Sequence, residues 1–230
     1  MRKQPHYLPA IVTGLALVLG LLPCRAQNAG EVKLRFLSFP KSIEPLKVEL
    51  RLAEGKTVGV EAPSNEFSQP LSVVSTGVWS VGETVEGPDG GPVFKEYGRT
   101  EAPASPQQML LLVRKGASNA DGFELIALDG RVGAFGGGKF LFMNAAKVDI
   151  AGVVGEEKFA VKPGSHTILK PKAVEAGGLA HAMFYFRKDN EPRAFFSSRW
   201  PVGDHARSMI FFYHDPESKL IRMHTIRDFL

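Results

Sequence analysis

The sequence contains a single cysteine, Cys24, among its 230 residues. Cys24 lies in an N-terminal stretch that we predict to be removed, so the mature chain would contain no cysteine. That absence excludes disulfides, zinc sites with cysteine ligands and a cysteine nucleophile together. The mature protein must therefore gain its stability from an apolar core.

The first 26 residues have the pattern of a cleaved signal peptide. Arg2 and Lys3 precede an apolar run from Ala10 to Leu22, and a small residue, Ala26, ends the stretch. The run is too short for a membrane-spanning helix, which needs roughly 20 apolar residues. We therefore predict export to the bacterial periplasm, the cell surface or the extracellular space, with no transmembrane segment in the mature chain. An uncleaved N-terminal anchor is the alternative.

The stretch Leu21-Leu22-Pro23-Cys24 looks like a bacterial lipoprotein box, in which the cysteine becomes the lipidated first residue. That box requires a small residue immediately before the cysteine, and Pro23 does not meet the requirement. By analogy with other N-terminal lipid signals, we expect no lipid anchor at Cys24.

The mature chain also lacks a surplus of basic charge. The sequence has 28 basic and 24 acidic residues, and three of the basic residues, Arg2, Lys3 and Arg25, lie in the signal peptide. The remaining 25 basic residues against 24 acidic residues give a nearly neutral protein. Binding to a nucleic-acid backbone needs a cationic surface, so we predict no nucleic-acid partner.

No long helical period and no helix-capping box occur after the signal peptide; apolar residues alternate instead, as in β-strands. Several strand-like segments of the first half recur in the same order about 100 residues later. The matching pairs are Lys33–Ser38 with Lys139–Asn144, Met109–Arg114 with Met209–His214, and Phe123–Asp129 with Leu220–Asp228. Three matches in one order indicate an internal repeat.

The repeat predicts an all-β protein made of two tandem Ig-like antiparallel β-sandwich modules, each with about seven short strands. We place the modules at residues 27–130 and 139–230, joined by a flexible, glycine-rich linker at residues 131–138. The unbroken apolar run from Met109 to Val113 predicts a strand that is buried on both faces or central in its sheet.

At this level the chain resembles a loose group of exported bacterial tandem β-sandwich proteins of unknown function, whose repeats open with an aromatic-rich strand near a proline. The strands that carry the resemblance are Leu34–Phe39, Phe140–Asn144, Met109–Val113 and Met209–Tyr213. The resemblance implies export and a sandwich architecture, and it transfers no catalytic residue.

Glycines from Gly133 to Gly138 with Lys139 match the first part of a phosphate-binding loop, G-x-x-x-x-G-K. Phe140 stands where that loop requires serine or threonine, and a strand follows instead of a helix. We interpret the segment as the linker and predict no nucleotide cofactor.

The mature chain has five histidines, all in the second half: His166, His181, His205, His214 and His224. No His-x-His or His-x-x-x-His pair occurs among them, so we predict no metal site. Acidic turn residues are a further possibility for calcium, but their oxygens lack the regular spacing of a calcium loop. Those residues are Asp89, Glu156, Glu157, Asp215 and Glu217.

Ser197, Ser198, Asp204 and His205 include the residue types of a Ser-His-Asp site. No Gly-x-Ser-x-Gly elbow accompanies them, and we assign no catalytic residue. A hydrolase whose activity depends on Ser198 is retained as an alternative.

The most chemically mixed loop runs from Phe195 to Arg207, and we select Arg199 and Trp200 in it as candidate binding residues because Arg and Trp are common in interaction hot spots. Alternatively, Trp200 covers the open end of the second sandwich while Arg199 remains in water.

The function that we expect is that of an exported, non-catalytic structural or binding protein with an envelope protein or polymer as its partner. The alternative is carbohydrate binding, with exposed Trp200, Tyr97 or Tyr185 stacking on sugar rings.

Overall fold

Sixteen β-strands make up most of the part of the chain that the computed structural model describes, residues 30–116, 118–172, 178–188, 191–215 and 217–230. The predicted signal peptide, with Cys24, lies outside the described residues. The strands of the first half are β1 (Glu31–Phe39), β2 (Leu46–Arg51), β3 (Thr57–Ala62), β4 (Leu71–Val74), β5 (Val78–Glu86), β6 (Pro92–Glu101), β7 (Gln107–Arg114) and β8 (Phe123–Asp129). The all-β prediction is confirmed.

A four-residue helix separates the two sets of strands, and two short 3₁₀ turns lie in the first half. The second set and the helix are α1 (Val132–Phe135), β9 (Phe140–Asn144), β10 (Ile150–Val154), β11 (Glu157–Val161), β12 (His166–Leu169), β13 (Leu179–Lys188), β14 (Glu191–Pro201), β15 (Ala206–His214) and β16 (Ile221–Phe229). The 3₁₀ turns are Ala53–Gly55 and Asn119–Asp121.

The strands form four four-stranded sheets that pair into two sandwiches. In the first sandwich, the inner sheet has the order β4-β1-β7-β8 and the outer sheet the order β3-β2-β5-β6. In the second, the inner sheet is β12-β9-β15-β16 and the outer sheet is β11-β10-β13-β14. Adding eight to each strand number of the first sandwich yields the order of the second. The repeat that the sequence shows is therefore matched by the topology.

The sheets differ in three respects from the prediction. Strand β1 pairs in parallel with β7, and β9 pairs in parallel with β15, so the prediction of wholly antiparallel sheets is wrong for the inner sheets. Parallel neighbours need a long crossover, and here the intervening strands supply it, so no local signal reveals the direction. Each half has eight strands rather than about seven. The strand order also differs from that of an Ig constant domain, where the first and second strands share a sheet.

Three apolar clusters stack through the molecule. One lies between the sheets of the first sandwich and contains Trp79; another lies between the sheets of the second sandwich and is rich in phenylalanine, with Phe142, Phe184 and Phe212 fully buried. The third lies between the two inner sheets, where Phe39 and Phe211 stack with ring centroids 4.8 Å apart. The two sandwiches are thus packed face to face through their inner sheets.

This stacking explains the apolar runs in β7 and β15. In β7, Leu110 and Leu112 enter the first sandwich core, while Met109, Leu111 and Val113 enter the cluster between the inner sheets. The prediction that this strand is buried on both faces is confirmed.

In the glycine-rich segment at residues 131–138, Phe135 to Gly138 are buried, whereas Arg131 to Gly133 are exposed. Phe135 is buried, and a Cβ added at Gly137 would lie 1.7 Å from the carbonyl oxygen of Asp204. Arg207 Nη1 donates to the carbonyl oxygens of Gly130 (2.8 Å) and Phe135 (2.6 Å). The glycines of this segment therefore permit its backbone to approach that of Asp204 closely.

One carboxylate joins the two inner sheets. Asp228 of β16 accepts hydrogen bonds from Arg35 Nη1 of β1 (3.0 and 3.1 Å) and from Arg207 Nε of β15 (2.8 Å). Asp228 and Arg207 are buried, and Arg35 Nε also donates to the carbonyl oxygen of Ser68. The charge of Asp228 is shared between two guanidinium groups from different sandwiches.

Candidate binding surface

The two sandwiches differ at one side, where an edge strand of the outer sheet faces an edge strand of the inner sheet. In the first sandwich these edges are β6 and β8, and they lie against each other. The corresponding edges of the second sandwich are β14 and β16, which are not brought together in this way in the described part of the chain. We call the side between β14 and β16 the open seam.

A glycine explains why the first sandwich closes. A Cβ added at Gly98 of β6 would lie 2.7 Å from the carbonyl oxygen of Phe123 in β8, which is closer than Cβ atoms approach carbonyl oxygens in proteins. Ser198 holds the corresponding place in β14: Gly98 pairs with Val81, and Ser198 pairs with Ala182 of the equivalent strand. Because Ser198 carries a Cβ and a hydroxyl, the same approach is blocked in the second sandwich.

Half-buried apolar side chains line the open seam. They are Phe195, Phe196 and Trp200 of β14 with Ile221 and Met223 of β16, and all pack on the second sandwich core. Phe195 meets Phe212 edge to face (5.9 Å), and Phe196 stacks on Phe184 (5.2 Å). The core is therefore only partly covered on this side.

The two halves of the chain differ in their balance of basic and acidic residues. Residues 27–138 contain 11 basic and 14 acidic side chains, whereas residues 139–230 contain 14 basic and 10 acidic ones. At the open seam, Arg193 and Arg199 of β14 and Arg227 of β16 are exposed, and Arg193 forms an ion pair with Glu191 (3.1 Å). The surface around the seam is cationic.

The two candidate binding residues occupy different faces of β14. Trp200 is half-buried, with its ring stacked on Phe140 (5.8 Å, 20° between planes) and close to Phe142 (6.5 Å). Arg199 is exposed and lies opposite His181 of β13. The packing of Trp200 matches the alternative in which this ring covers the end of the sandwich.

The serine, aspartate and histidine side chains considered for a Ser-His-Asp site contact other residues in the structure. Ser197 Oγ lies 3.1 Å from Nε2 of His181. Asp204 forms an ion pair with Lys170 (3.0 Å), and the ring of His205 stacks on Phe229. The Ser197–His181 contact was missed because the two residues lie on neighbouring strands; aligning the β13–β14 hairpin would have found it.

Among the described residues, no group of three His, Cys, Asp or Glu side chains is placed to hold a metal ion. The histidines of the second half are dispersed. His214 Nδ1 accepts from the backbone N–H of Lys147 (3.3 Å), and His224 Nε2 lies 3.1 Å from the carbonyl oxygen of Ser64 in the other sandwich.

The lysine of the phosphate-loop-like motif forms hydrogen bonds with residues close to it in sequence. Lys139 Nζ donates to the carbonyl oxygens of Gly133 (2.9 Å) and Ala134 (2.6 Å). Cations commonly bind the free carbonyls of helix ends, here those of α1. The amine is therefore directed at the helix, and β9 begins at Phe140.

Of the aromatic residues proposed for sugar stacking, Tyr97 is buried, which corrects the expectation that it is exposed. Its ring meets Phe123 edge to face (6.3 Å). A hydrogen bond to Glu83, burial and the charge of Glu83 together raise the pKa of Tyr97 to about 12. Tyr185 is half-buried, and its hydroxyl contacts the sulfur of Met183.

A cleft of about 720 Å³ opens at one end of the first sandwich. Its lining is made mainly of small and apolar residues, including Val32, Val74 and Pro103. The amide of Gln108 in its wall is satisfied: Nε2 donates to the carbonyl oxygens of Pro103 and Ser105, and Oε1 accepts from Trp79. Among the described lining residues, no buried side-chain nitrogen or oxygen lacks a hydrogen-bond partner, so none of these atoms indicates a ligand site there.

Beside this cleft, Ser105 Oγ donates to Oδ1 of Asp129 (2.7 Å). The hydrogen bonds from the Arg131 guanidinium and from Ser105 lower the pKa of Asp129 from 3.8 to about 2. Asp129 is therefore a stabilised carboxylate at the start of the segment that leads to the second sandwich.

The chain matches no protein-family model, and no curated protein matches it in sequence. In the described part of the chain, none of the helices has the length and apolar character needed to cross a membrane.

Proposed function

We propose that the protein is an exported, non-catalytic binding protein of the bacterial periplasm or cell surface, and that it engages an envelope protein or polymer through the open seam. The observation that carries this proposal is the difference between the closed β6–β8 side and the open β14–β16 side of two otherwise matching sandwiches. We further propose that the modules, residues 27–130 and 139–230, arose by duplication of one Ig-like sandwich unit in the broad architectural sense.

The edge of β14 supports binding. The strand has 11 residues and pairs with β13 along one side, so backbone N–H and C=O groups on its other side are available. Long exposed edges promote association, and proteins restrain unwanted association with prolines and charges. Pro192 and Pro201 lie near the two ends of β14, and Arg193 and Arg199 lie along it. These residues would disfavour indiscriminate pairing and leave the edge for a matched partner.

The interface between the inner sheets supports a role as a rigid platform. Its buried apolar cluster and the Arg35–Asp228–Arg207 network hold the second sandwich in one orientation relative to the first. Large apolar interfaces between domains oppose relative motion. The open seam would therefore be presented at a constant position.

Photocross-linking in the native envelope tests this function. A photoreactive amino acid at position 199, on the seam, is compared with one at position 99, the corresponding exposed residue of β6. We expect discrete adducts from position 199 and none from position 99. Equal adducts from both positions, or none from either, would contradict the assignment of the seam.

Export is tested separately by sequencing the N-terminus of the protein recovered from the envelope fraction. We expect the mature chain to begin at Gln27. Recovery of the full-length chain from the cytoplasm would refute export.

A further inference from the structure

We propose that the occupant of the open seam is an extended acidic segment of another protein, which adds to β14 as a fifth strand of the second outer sheet. This inference rests on the proposed binding function and specifies its partner. Three features of the seam carry it: the backbone of β14, the apolar lining and the charge.

The backbone of β14 selects an extended partner. Ten residue pairs join β14 to β13, from Leu179 with Pro201 to Lys188 with Glu191, and no strand of the described chain pairs on the other side. Added strands satisfy such an edge through main-chain hydrogen bonds, and alternate side chains provide specificity. A folded globular surface would not satisfy the same groups.

The lining selects apolar side chains at alternate positions of the partner. Phe196 and Trp200 of β14 are half-buried and pack on the second sandwich core. Phe195 packs on the same core because the register with β13 skips it, which places it at a β-bulge. In a strand, successive side chains point to opposite faces. A partner strand would therefore place every second side chain over these rings, and aliphatic residues there would complete the burial of the core.

Charge selects acidic residues at the other positions. Strands β14 and β16 carry four arginines, Arg193, Arg199, Arg222 and Arg227, against Glu191 and the buried Asp228. Arg193 forms an ion pair with Glu191, and Arg222 forms one with Asp215, which precedes β16. The closed edges β6 and β8 have the opposite balance, with Lys95 and Arg99 against Glu96, Glu101, Glu124 and Asp129. Complementary charge raises the rate and specificity of association. The same arginines oppose pairing between the β14 edges of two copies.

Three synthetic ten-residue peptides test the inference on the mature chain, residues 27–230. The first alternates glutamate with valine, the second has lysine in place of glutamate, and the third is the acidic peptide with N-methyl groups at alternate amides. By fluorescence anisotropy we expect the acidic peptide to bind at least tenfold more tightly than the lysine peptide, and the N-methylated peptide to lose binding.

Charge reversal locates the site. Arg199→Glu should weaken binding of the acidic peptide by roughly five- to tenfold, and Arg227→Gln should weaken it less. Arg99→Glu, at the corresponding position of the closed sandwich, should leave the affinity unchanged. Retained far-ultraviolet circular dichroism and midpoint of unfolding show that each variant is folded.

The outcomes separate this inference from the proposed function. Cross-links from position 199 without charge-dependent peptide binding would overturn the acidic strand and leave the seam as a binding surface. Binding that survives N-methylation would overturn strand addition. A concentration-dependent dimer that excludes the acidic peptide would identify a second copy of the chain as the occupant and overturn the inference.

Discussion

Replacing Asp228 with asparagine should destabilise the whole protein, because it removes the charge that joins the two sandwiches. Asp228 is 8% exposed and lies between Arg207, which is 4% exposed, and Arg35, whose side chain is 27% exposed. Removing one member of a buried ion pair costs about 3–5 kcal/mol, since the remaining charge stays buried without compensation. Arg35 would regain water, so we expect the lower end of that range, about 3 kcal/mol.

For a chain of this size, each 1 kcal/mol shifts the melting temperature by about 2–4 °C, so the expected decrease is about 6–12 °C. Urea denaturation followed by tryptophan fluorescence measures the change, because Trp79 lies in the first sandwich core and Trp200 packs on the second. The control is Glu61→Gln, which removes an exposed ion pair with Lys47 whose side chains are 62% and 77% exposed. Such pairs contribute about 0–1 kcal/mol.

A loss of stability in Asp228→Asn no larger than that of the control would refute the reasoning. A second test replaces both Arg207 and Asp228 with apolar residues of similar volume. Buried ion pairs can often be exchanged in this way at little cost. The double variant should therefore recover part of the loss, and a double variant less stable than Asp228→Asn would show that the hydrogen bonds of Arg207 to the backbone dominate.

Two further predictions follow from the first sandwich. Gly98→Ala should lower the free energy of unfolding by about 1–3 kcal/mol, because the added Cβ would lie 2.7 Å from a backbone carbonyl oxygen. The control, Gly59→Ala, has no atom within 4 Å of the added Cβ and should change the free energy of unfolding by less than about 0.5 kcal/mol. Equal effects of the two variants in chemical denaturation would contradict this reasoning. The pKa of Asp129 is lowered from 3.8 to about 2 in the folded protein, so its contribution to stability is present above pH 4 and is lost as the pH falls towards 2. Asp129→Asn should reduce the decline of the urea midpoint between pH 5 and pH 2, and an unchanged decline would show that the folded carboxylate is not stabilised.

Much of the strand pattern can be read from residues close in sequence. The apolar runs of β7 and β15, the alternating segments around them and their repetition about 100 residues apart all depend on local periodicity, which burial imposes on each strand. The direction of pairing between β1 and β7 has no such local signal, because the two strands are separated by the rest of the sandwich. The burial of Tyr97 was missed for a related reason: its alternating neighbours are polar, and Phe123 reaches it from a distant strand.

The two candidate binding residues remain a prediction, but the structure gives their positions. Arg199 and Trp200 were selected for their chemistry, and both lie on β14, at the edge of the open seam. Their separate orientations depend on the register with β13, which places Arg199 opposite His181 and Trp200 opposite Ala180. The role of Ser198 as the counterpart of Gly98 became visible only after the two sandwiches could be aligned strand by strand.

The amino-acid sequence by itself determined the all-β character and the repeat, because strand periodicity and the order of similar segments are properties of the chain alone. The tertiary structure decided that the inner sheets stack on each other, that residues 135–138 are buried, and that one sandwich closes while the other remains open. These outcomes depend on contacts between distant residues, such as Asp228 with Arg35 and Gly98 with Phe123, and distance along the chain hides them.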